Sequence, residues 1–199
     1  MKALRAFLIP VFSVLVVLGL AEPAQATELK AVGTLNIGKM THDSGVDYDG
    51  LSRFGFGALI TTSPIVADLF GIQSGLLYTP VGTSFSSIEV WSNYLQLPIL
   101  LKFSLPLVSF GLGPYFGIPL STGASGPGVS GSGPTDKVFD WGLMATAGLK
   151  YPVTDFEMRP LSVAFDVGYQ FGFGNVTEAV GATAHIRNLQ LQLGLAFDL

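Results

Sequence analysis

The chain has 199 residues, a formal net charge of −4 and no cysteine, which excludes a disulfide framework and a thiolate metal site. Charged residues make up 12% of it and apolar residues 49%, so its departure from an ordinary soluble domain is a shortage of charge. Ten scattered basic residues do not make the cationic surface that nucleic acid requires, and two histidines, His42 and His185, leave few imidazole constellations.

In chain order, the first element joins Lys2 and Arg5 to an apolar run from Phe7 to Ala21, followed by Ala24-Gln25-Ala26. This is the pattern of a secretory signal peptide, with cleavage expected after Ala26, and it divides the chain into residues 1–26 and a domain over 27–199. The apolar run is shorter than the ~20 residues a helix needs to cross a bilayer, which disfavours the alternative of an uncleaved anchor. No later segment is apolar for long enough to span as a helix.

The domain alternates with a period of two. Weak alternation over Leu29 to Ile37, Phe54 to Ile60 and Phe70 to Tyr78 precedes a clear case from Tyr94 to Phe103. There Leu95, Leu97, Ile99, Leu101 and Phe103 share one face, and Tyr94, Gln96 and Lys102 stand on the other. Phe110 to Ile118 is weak again, Phe139 to Tyr151 carries aromatics at both ends, and Leu161 to Phe173 alternates without a break. A last strand is expected from Asn188 to Leu199. About eight strands of about ten residues, with aromatics at strand ends, predict an all-β fold: an eight-stranded antiparallel up-and-down transmembrane β-barrel of the bacterial outer membrane. Helices are disfavoured by Pro98, Pro106, Pro114 and Pro119. Within strands, Pro98 and Pro114 predict bulges or weakened ladder positions.

Connections should alternate between short turns on one side and longer loops on the other. The short ones are expected at Ser63 to Asp68, Ser104 to Pro106 and Pro152 to Pro160, the last being long for its place. The long ones are expected at Thr41 to Gly50, Thr79 to Glu89, Ser121 to Asp136 and Gly174 to Ala184. The third is mostly Gly, Ser and Pro, a composition that favours mobility.

The stretch YLQLPILLK from Tyr94 to Lys102 resembles a strand motif of the PorT-like outer-membrane β-barrel family, in which Glu often stands where this chain has Gln96. Gly113-Pro114-Tyr115-Phe116-Gly117, Asp140-Trp141-Gly142-Leu143, Tyr169 to Asn175 and Arg187-Asn188 extend the resemblance in the same order across nearly the whole domain. The resemblance implies an eight-stranded barrel and no established catalytic residue or ligand. The end of the chain, with Gln192, Gly194, Phe197 and Leu199, resembles the recognition sequence of the barrel-assembly machinery, although an aromatic is commoner than Leu199 at the last position. That machinery and outer-membrane lipid are therefore the expected partners, with the partner of the outer loops left open.

Strand parity sends Lys30, Arg53, Lys102, Asp140, Lys150, Asp166 and Asp198 to the barrel interior, with Gln96, Gln170, Gln190 and Gln192. A barrel of this size is just wide enough for side chains to fill it, and unpaired buried charge is costly, so these groups are expected to pair into a polar plug. A closed lumen disfavours a general-diffusion porin and turns attention to the outer loops, for interaction or envelope integrity, without enzymatic activity. A narrow conduit for small solutes uses the same residues. A lipid-modifying enzyme would need a serine such as Ser162 within reach of His185, and a soluble lipocalin-like barrel would invert the packing, apolar inside and charged outside. No residue pattern calls for a cofactor or a metal. Asp43, Asp47, Asp49 and Gly50 read as a solvated acidic loop, their spacing not matching a helix–loop–helix calcium site; Asn175-Val176-Thr177 carries no weight as a glycosylation sequon, and Gly172 and Gly174 form no phosphate loop.

Overall fold

The computed structural model describes residues 26–42, 49–62, 69–85, 87–133, 139–156, 159–174 and 184–199. The expected signal peptide lies outside these residues up to position 25, as do the centres of the first and fourth long loops, with Asp43, Asp47 and the Asn175 sequon. The described chain is all strand and turn: β1 (Ala26–His42), β2 (Asp49–Thr62), β3 (Phe70–Phe85), β4 (Ile88–Ser104), β5 (Val108–Gly126), β6 (Val129–Gly133), β7 (Asp140–Phe156), β8 (Arg159–Gly172) and β9 (Ala184–Asp198). Every pairing is antiparallel, in the order β4-β3-β2-β1-β9-β8-β7-β5-β6, and a further β4–β5 pairing closes the sheet. Eight strands form the wall. The ninth, β6, pairs only with the far end of β5, from Thr122↔Gly133 to Gly126↔Val129.

The wall follows from the alternation in the sequence. Phe54, Phe56, Leu76, Leu101, Leu112, Leu149, Leu193 and Leu195 are exposed on the outer surface, Phe54 the most at 82%. Their sequence neighbours Gly55, Gln192 and Gly194 are buried inside. An apolar exterior around a partly polar interior reverses the packing of a soluble barrel. Both ends of the domain lie at one rim, where Glu28 pairs with Asp198, and the connections there span two to seven residues; at the other rim β3 and β4 are also joined by two residues, and the remaining connections are longer or carry the β6 hairpin. The rim that holds both ends of the domain is the turn end, and the opposite rim is the loop end.

The strands run further than alternation alone suggests. Thr79 to Glu89, expected as a loop, is almost wholly strand, because β3 continues to Phe85 and β4 begins at Ile88. Pro152 to Pro160 likewise shortens: β7 reaches Phe156 and β8 starts at Arg159, with Val153 inserted as a bulge between Pro152↔Ser162 and Thr154↔Leu161. Ser121 to Asp136 contains the β5–β6 hairpin, turned at Pro127-Gly128 with Gly128 at φ 76°. Proline at the first central position and a positive-φ glycine at the second are what a type II turn demands. In each case backbone pairing outlasts the lipid-facing pattern, because a ladder needs no apolar face to continue beyond the membrane.

Proline leaves its mark on β4. On the β3 side the pairs jump from Ser74↔Ile99 to Leu77↔Gln96, and on the β5 side from Pro98↔Tyr115 to Leu101↔Leu112. Proline has no N–H to give either ladder, and the Pro98 carbonyl is instead taken up by Ser74, whose hydroxyl donates to it at 2.9 Å. Pro114 keeps a pairing with Leu143 on its other side.

Candidate functional site: the lumen

The interior divides into three levels. At the turn end, Lys30 on β1 donates from Nζ to Asp166 Oδ2 on β8 at 2.7 Å, and both side chains are almost fully buried. Gly148 on β7 makes room for this pair, since a Cβ there would collide with the Asp166 carboxylate. Lys150 donates to Glu28 Oε2 at 2.8 Å and to Asp198 Oδ1 at 2.7 Å, tying β7 to β1 and β9. These groups line a cavity of about 310 Å³ together with Lys102. Lys102 is buried, and no hydrogen bond or ion pair joins it to another of the described residues.

At mid-height the chemistry changes from ions to amides. Gln96 on β4 and Gln170 on β8 face each other across the lumen, with Gln170 Nε2 donating to Gln96 Oε1 at 2.8 Å and Gln96 Nε2 donating back to Gln170 Oε1 at 3.3 Å. Thr79 Oγ1 donates to Gln96 Oε1 at 2.9 Å. Asn188 Nδ2 donates to Gln170 Oε1 at 3.1 Å and to Asn36 Oδ1 at 3.3 Å, and Asn36 passes the chain to Thr34. Gln192 donates to Gln190 Oε1 at 3.0 Å. Gln96, Gln170, Asn188, Asn36 and Thr34 make a continuous set of donors and acceptors from β4 to β1, with Gln190 and Gln192 a separate pair beside it, and every one of these side chains is buried.

Towards the loop end the filling is part aromatic. Tyr115, fully buried, donates its hydroxyl to Asp140 Oδ2 at 3.2 Å and packs with Leu100 and Met144. Val81, Tyr94 and Ile186 form a second apolar cluster, while Val32, Leu59 and Leu77 form a third nearer the turn end, where Leu59 pairs with Lys30. The lumen is thus not the purely polar plug that the sequence suggests. Large apolar side chains share it because a ring of eight strands leaves space that charges alone cannot fill at native density. Arg53 sits at the rim: its guanidinium lies 4.7 Å from the Trp91 ring centroid and 3.9 Å from Glu89, both partly exposed.

The residues expected inside therefore sort by level. Lys30, Lys102, Lys150, Asp166 and Asp198 come together at the turn end; Asp140 stands apart with Tyr115, and Arg53 belongs to the loop-end rim. In the final strand Gln192 and Gly194 face inward, Phe197 is half-buried and Leu199 is exposed. Ser162 and His185 do not meet: Ser162 is buried at the turn end opposite Ala196, whereas His185 lies at the loop end, its Nδ1 3.3 Å from the Gly174 carbonyl oxygen. Glu28, Asn36, Thr79, Tyr115 and Asn188 belong to the network although sequence reasoning passed over them. Parity is the available signal for Glu28, Asn36 and Asn188, which share the inward register of Lys30 on β1 and of Gln190 and Gln192 on β9, whereas β3 and β5 hold no expected interior residue to place Thr79 and Tyr115.

A family model described as outer membrane protein beta-barrel domain matches residues 11–198. No curated protein matches the chain significantly. Among solved structures, the chain is similar to the attachment invasion locus protein Ail of Yersinia pestis, at 14% identity and a TM-score of 0.47, covering 86% of this chain and 99% of that one. It is similar to Neisserial surface protein A, at 15% identity and a TM-score of 0.49, over 86% of this chain and 97% of that one. It is similar also to OprG from Pseudomonas aeruginosa, at 14% identity and a TM-score of 0.36, over 87% and 96%.

Proposed function

Because the chain belongs to the outer membrane protein β-barrel domain family, we propose that it is a non-enzymatic envelope barrel with a closed lumen, its loops forming the working surface. The observation that carries this reading is the Gln96–Gln170 bridge, which spans the lumen at mid-height between apolar side chains above and ion pairs below. A solute would have to break several buried hydrogen bonds to pass, each loss leaving a polar atom unsatisfied at about 1–3 kcal/mol. Short turns mark the periplasmic rim and long connections the outer one, so the loop end faces outward. The N-terminal pattern over residues 1–26 supports export through a cleaved signal peptide, and the last strand supports handling by the barrel-assembly machinery. The ordered motifs from Tyr94 to Asn188 favour a PorT-like affiliation within the family.

Planar-bilayer recordings of the purified protein test the closed lumen: no discrete conductance is expected, and stable unitary steps would overturn it. Exchanging the loops after β1 and β8 for short turns should leave a heat-modifiable barrel while abolishing the cellular phenotype of a wild-type rescue. A rescue that survives the exchange would place the function elsewhere.

A further inference from the structure

The cavity at the turn end holds a cation that the ion pairs around it leave over. Asp166 takes Lys30 at 2.7 Å, while Glu28 and Asp198 both take Lys150, at 2.8 and 2.7 Å. Lys102 lines the same cavity and is 6% exposed, and no hydrogen bond or ion pair engages its ammonium among the described residues. An ammonium carries three donors and no acceptor. Burying it without an acceptor is costly, and the cavity is the place from which an acceptor can come.

The cavity is shaped to admit a molecule from the rim. Leu105, Pro106, Pro152 and Pro160 at its mouth are exposed, whereas Ser162 and Ala164 are buried with Lys102 deeper in the wall. Its volume of about 310 Å³ is at the small end for a ligand pocket. At the ~30 Å³ that one water occupies in the liquid, that is room for about ten non-hydrogen atoms.

Charge narrows the ligand further. Three lysines and three carboxylates line the cavity, so it carries no net charge and sets up no field that would gather polyanions. Every carboxylate is already on a lysine, and Lys102 lacks one negative charge at contact distance. A second charge on the same ligand would face Glu28, Asp166 and Asp198 with no cation of its own. The leucine, the prolines and Val108 give the rest of the wall an apolar stretch that suits a short hydrocarbon body.

We propose that the turn-end cavity binds a small organic acid as its monocarboxylate, with the carboxylate on the Lys102 ammonium and a short hydrocarbon body against Val108 and the prolines of the mouth. The ligand supplies the acceptor that the ion pairs deny to Lys102, and its single charge leaves those pairs intact.

Calorimetric titration of the barrel in phosphatidylcholine nanodiscs with sodium butyrate, at constant ionic strength in sodium chloride, tests this. One saturable site per barrel is expected, with a Kd on the order of 1 mM. Butyramide keeps the shape without the charge, and sulfate brings two charges; each should bind at least about tenfold more weakly. Lys102→Met should weaken butyrate binding by at least about tenfold. That variant removes a buried cation and is expected to fold at least as stably, and heat modifiability on a gel verifies it. Ala164→Leu fills the inner cavity with all three lysines in place, and it should weaken butyrate binding as well. No saturable butyrate site in the wild-type protein, equal binding of butyramide, equal or tighter binding of sulfate, or wild-type affinity in either folded variant would each overturn the proposal. The cavity lies on the turn-end side of the Gln96–Gln170 bridge, and calorimetry reads it whether or not the lumen conducts, so its failure and that of the closed-lumen reading are separable.

Discussion

The turn end and the middle of the lumen solve the same problem with different chemistry. At the turn end, carboxylates and ammonium groups pair across strands around a cavity, whereas at mid-height the crossing contacts are amides and hydroxyls with no formal charge. Charge is placed where the barrel is still open enough to lower its desolvation penalty, and neutral groups where it is not. On the proposed reading the middle is the part that shuts the lumen, and the turn end is the part that binds the first and last strands to β7 and β8.

The largest effect should come from breaking an ion pair whose partner stays buried. Asp166→Ala leaves Lys30 without its carboxylate and is expected to cost about 3–5 kcal/mol, read from urea unfolding of the protein in lipid vesicles. A loss below 1 kcal/mol would mean that the turn end is wetter than its burial implies. Gln96→Ala combined with Gln170→Ala should cost about 2 kcal/mol and introduce conductance steps absent from the parent, which sharpens the division between a sealing level and a tying level. The sign reverses at Lys102. Replacing this lysine by Met removes a buried charge without a bonded partner among the described residues, so stability should rise by about 1 kcal/mol, and a fall would show that Lys102 is tied into the ion pairs after all. The smallest effect is expected for Lys150→Gln, below about 1 kcal/mol, because that side chain is 32% exposed and solvent screens its two ion pairs.

How much of this was legible in the sequence differs by level. The wall was readable because lipid imposes a strict rule on every second residue; Leu161 to Phe173 obeys it throughout, and Asp166 and Gln170 fall inside as parity requires. Strand ends were not readable, since beyond the membrane nothing enforces the alternation. Pro80-Val81-Gly82-Thr83 therefore looked like a loop although it pairs with β4 and is buried. Parity also says which side a residue faces but not how high across the lumen it meets a partner. Arg53 and Asp140 share the inward register of Lys30, yet they lie near the starts of β2 and β7 at the loop end, away from the charges they are expected to join. Tyr115 was hidden by its type, because an aromatic in an alternating strand reads as part of the lipid face until the register shows Gly111, Gly113 and Gly117 on its own side.

The pairing of β1 with β9 runs without a bulge from Glu28↔Asp198 to His42↔Ala184. This contact joins residues near the two ends of the domain, so it is the last that a chain emerging in order can make, and until it forms both β1 and β9 expose a full row of unpaired amides and carbonyls. How long the immature protein remains hazardous to itself is set by this one closure. Substitutions that weaken the seam should raise the yield of aggregate during refolding more than they lower the stability of the finished molecule.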